Sequence, residues 1–232
     1  MRRNAVICLL ALSAAHAFAD PPDAVPEAPT AESGRAKPAD PLGVAADLEH
    51  AARSGNRLAA YTLAMMMVNG EVAAPDSGAI WRWLRQAATA GLADAQFSFG
   101  QLYDRGLGVP RAPGTARHFY TLAARQGHLQ AQITLGTLYF IGDGVVKDEA
   151  QAARWYLAAA QAGDAGAQYI VAHMYEHGYG LHRDLVQARQ WYAQAARQGD
   201  PVAASRLAGL TSVAPPIAPS PDRPATLPVP GR

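Results

Sequence analysis

Apolar residues in the middle of the chain recur at the spacing of one helical face. Over 92–105, Ala95, Phe99, Leu102 and Tyr103 stand three or four residues apart, which predicts an amphipathic helix with one face to bury. Gly106-Leu107-Gly108-Val109 follows, and glycine takes the left-handed conformation that closes a helix. A second helix is predicted after each such turn. It opens on an acidic cap, Asp148 with Gln151 three residues on and Asp184 with Gln187 likewise, which satisfies exposed amide groups. It then carries an aromatic pair and an alanine pair, Trp155-Tyr156 with Ala159-Ala160 and Trp191-Tyr192 with Ala195-Ala196. Alanines let helices approach closely and the aromatics fill the gaps between them, so both pairs read as core.

The hairpin repeats. Gly55, Gly91, Gly127, Gly163 and Gly199 are 36 residues apart, and four residues after each stands Ala59, Ala95, Ala131, Ala167 or Ala203. Leu63, Phe99, Leu135, Val171 and Leu207 keep the same period, as do Trp83, Phe119, Trp155 and Trp191. The turn recurs as Gly142-Asp143-Gly144-Val145 and Gly178-Tyr179-Gly180-Leu181, whereas Gly70-Glu71-Val72-Ala73 lacks the second glycine, which predicts a turn of different shape. A period of this size without insertion over four units is the signature of a solenoid. Residues 44–54 align with a second helix that has Asp47 in place of its tryptophan, and 200–210 align with a lone first helix. Such half units cap a stack.

Ala131-Gln132, Leu135-Gly136, Tyr139, Gly142-Asp143-Gly144-Val145, Ala152, Trp155-Tyr156, Ala159-Ala160 and Gly163 together resemble the Sel-one-like repeat, a relative of the tetratricopeptide repeat. The resemblance covers 43–210 and implies an all-α, right-handed superhelical solenoid of helix-turn-helix repeats whose first helices line a concave side. It also implies a protein-binding scaffold without enzymatic activity or cofactor.

Composition supports the helical reading: half the residues are apolar and 17% are charged. Residues 1–19 have the three parts of an export signal, namely Arg2 and Arg3, an apolar run over 5–15, and a small-x-small site at Ala17-Phe18-Ala19, with cleavage expected after Ala19. The one cysteine, Cys8, lies inside that run after the bulky Ile7, a poor setting for lipidation, so the mature chain is expected to hold together without disulfides. Without Arg2 and Arg3 the 20 basic residues become 18 against 19 acidic, and no bulk charge draws in nucleic acid. No apolar run reaches the length of a membrane span. Prolines crowd 20–42 and 211–232, the composition of a disordered linker and tail.

Candidate chemistry is sparse. The side of each first helix opposite its packing face holds Leu58, Tyr61, Met65 and Val68 in the first unit, and Asp94, Phe97, Gln101 and Asp104 in the second. The third has Gln130, Ile133, Thr137 and Phe140, and the fourth Gly166, Tyr169, His173 and Glu176. Tyr61, Phe97, Ile133 and Tyr169 form an apolar ladder that suits a peptide groove, exposed until a partner covers it, with Gln101, Thr137 and His173 beside it as bonding groups. The same ladder also suits packing between repeats, and both readings stand at this point. Met65-Met66-Met67 offers an adaptable end to such a groove. His173, Glu176, His177 and His182 raise the thought of a metal site, but one histidine pair is an incomplete ligand set and the glutamate does not have metalloprotease spacing. No serine sits in a nucleophile elbow. The expected function is therefore a periplasmic or secreted adaptor that binds a protein or peptide of the cell envelope. The alternative is a cell-wall or saccharide-associated protein with weak, β-lactamase-like hydrolysis.

Overall fold

The computed structural model describes residues 41–212 other than Ser77. The export segment expected at 1–19, nearly all of the linker and nearly all of the tail lie outside the described residues. Among the described residues ten helices follow one another: α1 Pro41–Arg53, α2 Arg57–Val68, α3 Ala79–Thr89, α4 Ala93–Arg105, α5 Pro113–Arg125, α6 Leu129–Ile141, α7 Glu149–Gln161, α8 Ala165–His177, α9 Leu185–Arg197 and α10 Pro201–Ser212. Among the described residues there is no strand. The first helices of the four units are α2, α4, α6 and α8, and the second helices are α3, α5, α7 and α9. α1 is a second helix without a first and α10 a first without a second. All the substantial helix packing is between helices consecutive in the chain, the hallmark of a stack stabilised by neighbours.

Helix boundaries follow local chemistry. Asn56, Asp164 and Asp200 each accept a hydrogen bond from the backbone N–H three residues on and so cap first helices. Asp148 and Asp184 cap α7 and α9 in the same way, through Gln151 N–H and Gln187 N–H. α5 lacks a side-chain cap and instead has Pro113 in its first turn, where the missing N–H costs nothing. α4, α6 and α8 end on left-handed Gly106, Gly142 and Gly178. α2 ends one position earlier in its unit, with Asn69 in a right-handed conformation, so the turn that lacks the second glycine does differ in shape.

Each joint between units is built the same way. The repeated alanines Ala95, Ala131, Ala167 and Ala203 are fully or almost fully buried, which lets each first helix lie close against the preceding second helix. Beside them Gln96, Gln132 and Gln168 donate from Nε2 to the carbonyls of Ala88, Ala124 and Ala160 in the last turn of that preceding helix, at 3.2, 3.1 and 3.2 Å. Each of these carbonyls also accepts from the N–H of the glycine just past its helix, Gly91, Gly127 or Gly163, so the glutamine adds a second bond that crosses the joint. The first unit has Ala60 where the glutamine would stand, and its acceptor, the Ala52 carbonyl, is met by Gln86 Nε2 from α3. The glutamine oxygens are tied as well, Gln96 Oε1 to Gln126 Nε2 at 2.7 Å and Gln168 Oε1 to Gln198 Nε2 at 2.8 Å. Ala162 occupies the equivalent place in the third unit, and Gln132 Oε1 is buried without a partner.

In units two to four the enclosed aromatic is the tyrosine, not the Phe119, Trp155 or Trp191 before it. Tyr120, Tyr156 and Tyr192 are at most 2% exposed, whereas Trp155 and Trp191 are half-buried at the edges of neighbouring clusters. The tyrosine ring lies against bare backbone: a Cβ on Gly100 would come 2.8 Å from the Tyr120 ring, and one on Gly136 3.0 Å from Tyr156.

The second glycine of the turn also works across a joint. A Cβ on Gly180, whose φ is +63°, would overlap the Glu149 carbonyl of the preceding unit, while one on Gly108 at φ +72° would meet nothing within 4 Å. Both alanine variants carry the left-handed cost of roughly 1–2 kcal/mol, and Gly180→Ala adds a backbone clash. Thermal unfolding is expected to show Gly180→Ala destabilised by about 3 kcal/mol or more and Gly108→Ala by about 1 kcal/mol. Equal losses would place the effect in the turn alone.

Candidate functional site

The side of the first helices expected to form a groove is mostly closed by the stack itself. Ile133 is 8% exposed, Phe140 3%, Tyr169 3% and His173 6%, which corrects the expectation that the whole ladder is open in the free protein. The cause is the neighbouring tyrosine. Phe97 lies 5.5 Å from the Tyr120 ring and 4.6 Å from the stacked His128, and Tyr169 lies 5.4 Å from Tyr192. These are ordinary offset or tilted aromatic contacts, and they place Phe97 and Tyr169 against the second helix of their own units.

The polar residues beside the ladder are engaged in the same task. A buried tyrosine hydroxyl needs a partner. Tyr120 donates to Asp104 at 3.3 Å and Tyr192 to Glu176 at 2.7 Å. In the third unit the position of the acid is taken by Phe140, and Thr137 Oγ1 pairs with Tyr156 Oη at 2.8 Å instead. Burial and the facing carboxylate both push the Tyr120 and Tyr192 hydroxyls far above the ordinary range. Asp104, Thr137 and Glu176 thus serve the fold whatever else they do. The tyrosine–acid pairs, 16 residues apart in both units, are legible in the sequence once the tyrosine is recognised as the enclosed residue.

What stays open on this side is the first unit. Leu58 is 60% exposed and Val68 53%, with Tyr61 and Met65 half-buried between them. The equivalent positions of the second unit keep Asp94 exposed and Phe97, Gln101 and Asp104 half-buried. Leu84 stands where the later units have their tyrosine, so no hydroxyl reaches across α2 and no acid is needed there.

The histidine pair forms a different feature. His173 stacks on His177 at 4.2 Å between ring centroids, and Tyr179 lies 5.8 Å from His173. His177 Nδ1 donates to the His173 carbonyl at 3.0 Å, while His173 Nδ1 is buried with no partner. Among the described residues no group of three or more His, Cys, Asp or Glu is placed to hold a metal ion. No described helix is long and apolar enough to cross a membrane.

The architecture is that of a helical-repeat solenoid of the tetratricopeptide-like class. The Sel1 repeat pattern matches 58–92, 93–128, 129–164 and 165–200, more than half of the sequence, and the chain belongs to that family. Two of the solved structures similar to it are these. One is a protective antigen present in uropathogenic Escherichia coli strains with an SLR fold, 34% identical with a TM-score of 0.66. The other is a Sel1 repeat protein from Oxalobacter formigenes, 30% identical with a TM-score of 0.68. The alignments cover 72% and 74% of this chain but only 36% and 50% of those proteins. No curated protein matches the sequence significantly. Sel1 repeats generally act as scaffolds for protein–protein interaction.

His173 makes the fourth unit acid-sensitive. Burial, then the neighbouring His177, lower its pKa from 6.5 to about 4, against a partial opposing effect of Glu176 and a smaller lowering by Arg206. Between those two values the unfolded chain binds a proton that the folded chain refuses, so this stability is complete above pH 6.5 and is lost as pH falls toward 4. The loss from pH 7 to pH 5 is about 2 kcal/mol. Denaturant unfolding at the two pH values is expected to show this slope in the native protein and a slope about 2 kcal/mol shallower in His173→Leu. Parallel slopes would mean that His173 carries its proton in the folded state.

Proposed function

We propose that this protein is a scaffold of the bacterial cell envelope, periplasmic or secreted, that binds a protein or peptide through the face of its first helices, chiefly at the N-terminal end of the stack. The observation that carries this reading is the apolar strip on α2. Leu58, Tyr61, Met65 and Val68 lie on one helical face, and two of them are more than half exposed. Contiguous exposed apolar surface on a folded domain marks an interaction site. Units two to four close or polarise the same positions, so the strip is local. Tyr61 offers a large contact area at small entropic loss, and the methionines adapt to different partners. Phe97, Gln101 and Asp104 continue the surface into the second unit as a half-open polar margin. Ile133, Phe140, Tyr169 and His173 are buried within the third and fourth units. The export-type sequence at 1–19 supports an envelope location, and fractionation should recover a chain that starts at Asp20.

A photo-crosslinking residue at Leu58, compared with one at Arg154 on a second helix, tests the site in living cells. Adducts are expected from position 58 and not from 154. Leu58→Ser with Val68→Ser should abolish them while shifting stability by less than about 1 kcal/mol, because both side chains are exposed. Adducts of equal yield from both positions, or adducts that survive the double substitution, would move the binding surface elsewhere.

A further inference from the structure

The two ends of the stack are complementary halves of one unit. Within every unit the first and second helices pack more extensively on each other than helices do across any joint. α1 and α10 lack that larger contact. Among the described residues α1 packs substantially on α2 alone and α10 on α9 alone, in both cases across a joint. α1 is a second helix whose first helix is missing, and α10 is a first helix whose second is missing.

The side of α1 left open has the character of a hairpin interior. Tyr120, Tyr156 and Tyr192, with the alanines four residues before and three after each, are at most 2% exposed. The same positions of α1 are Val44, Leu48 and Ala51. All three are apolar, yet Val44 is 38% exposed and Leu48 and Ala51 are only half-buried. A terminal helix that only caps a stack turns a polar face outward, which this side of α1 is not. On α10 the position that lies beneath the tyrosine ring in the second and third units, Gly100 and Gly136 there, is Ala208, and it is exposed together with Ser205, the counterpart of Phe97 and Tyr169. The first unit shows what fits over alanine at this position. There Ala64 is paired in register with Leu84, which replaces the tyrosine, and both are at most 2% exposed. α10 and α1 carry the same two residue types in the same register, Ala208 and Leu48.

We propose that α10 of one copy pairs with α1 of a second copy, forming the hairpin that each chain leaves incomplete and continuing the solenoid head to tail. Such a joint is heterologous, so it does not close on a dimer and further copies add at either end. Asp47 stands where the inner second helices have Phe119, Trp155 and Trp191, which makes this hairpin weaker than the inner ones and its formation dependent on concentration. Each copy supplies ten described helices, so the α2 strip recurs at every fifth hairpin of the assembly. A partner with repeated motifs then gains by engaging several strips at once.

Analytical ultracentrifugation of the purified protein from about 10 μM to about 1 mM is expected to show a weight-average mass that climbs with concentration beyond that of a dimer. Val44→Lys blocks the α1 side and Ala208→Arg the α10 side, with Ser205→Arg as a second block on α10. All three positions are exposed, so melting temperatures should stay within about 2 °C of the native value. Each variant alone should remain monomeric, because neither surface finds its complement. An equimolar mixture of Val44→Lys and Ala208→Arg chains keeps one intact surface on each and should reach twice the monomer mass and go no further. A native chain that stays monomeric at about 1 mM overturns the proposal. So does association that persists in any one of the variants alone, or a mixture that stays monomeric where the native chain associates. A native mass that stops at the dimer would assign an isologous contact and overturn it too.

Discussion

A glutamine amide at the start of α4, α6 and α8, bonded to the last turn of the helix before it, is the interaction on which the stack depends. The joint carbonyls lie past the helical ladder, and each accepts from the N–H of the following turn glycine while keeping a second lone pair for a donor from across the joint. Gln96, Gln132 and Gln168 supply that second donor at successive joints with nearly the same geometry. The first joint reaches the same acceptor by another route. Where Ala60 replaces the glutamine, Gln86 arrives from another helix at the same acceptor. Because the bond joins one unit to the previous one, it fixes both the separation and the rotation between hairpins, and the buried alanines beside it allow the close approach that the bond demands.

The same economy of partners decides where binding surface is left. A tyrosine from each later second helix reaches over a glycine or alanine of the first helix, and its hydroxyl must be satisfied on the far side. Asp104, Thr137 and Glu176 are used for this, and Phe97, Ile133 and Tyr169 are drawn in beneath or beside the rings. Only the first unit, with Leu84 in place of tyrosine, escapes. Its α2 strip therefore remains apolar and open at little cost to the fold.

Most of the fold was legible in the sequence because its constraints are local and periodic. Glycines at the helix ends, aspartate caps and alanines at strict 36-residue spacing each determine a short piece of backbone, and the structure repeats those pieces. The candidate groove was less legible for a definite physical reason. Reading α8 as an isolated helix puts Tyr169 and His173 opposite the packing face, but a helix inside a stack has a partner in its own hairpin and another in the preceding unit. Two partners leave a much narrower free strip than one. Asp104 and Glu176 looked like groove residues because their acceptor role becomes visible only when Tyr120 and Tyr192 are placed across from them.

The joint chemistry can be tested by completing it. Gln132 Oε1 is buried without a partner, and Ala162 occupies the place from which Gln126 and Gln198 serve the equivalent oxygens of the other joints. Supplying the missing amide should stabilise the protein, since a satisfied buried acceptor is worth about 0.5–1.5 kcal/mol. Denaturant unfolding of Ala162→Gln, alone and with Gln132→Leu, measures this directly. If the glutamine bonds hold the units together, Ala162→Gln gains about 1 kcal/mol and the gain vanishes in the Gln132→Leu background. A variant no more stable than the native chain, or an equal gain with Gln132 removed, would contradict the role of these bonds.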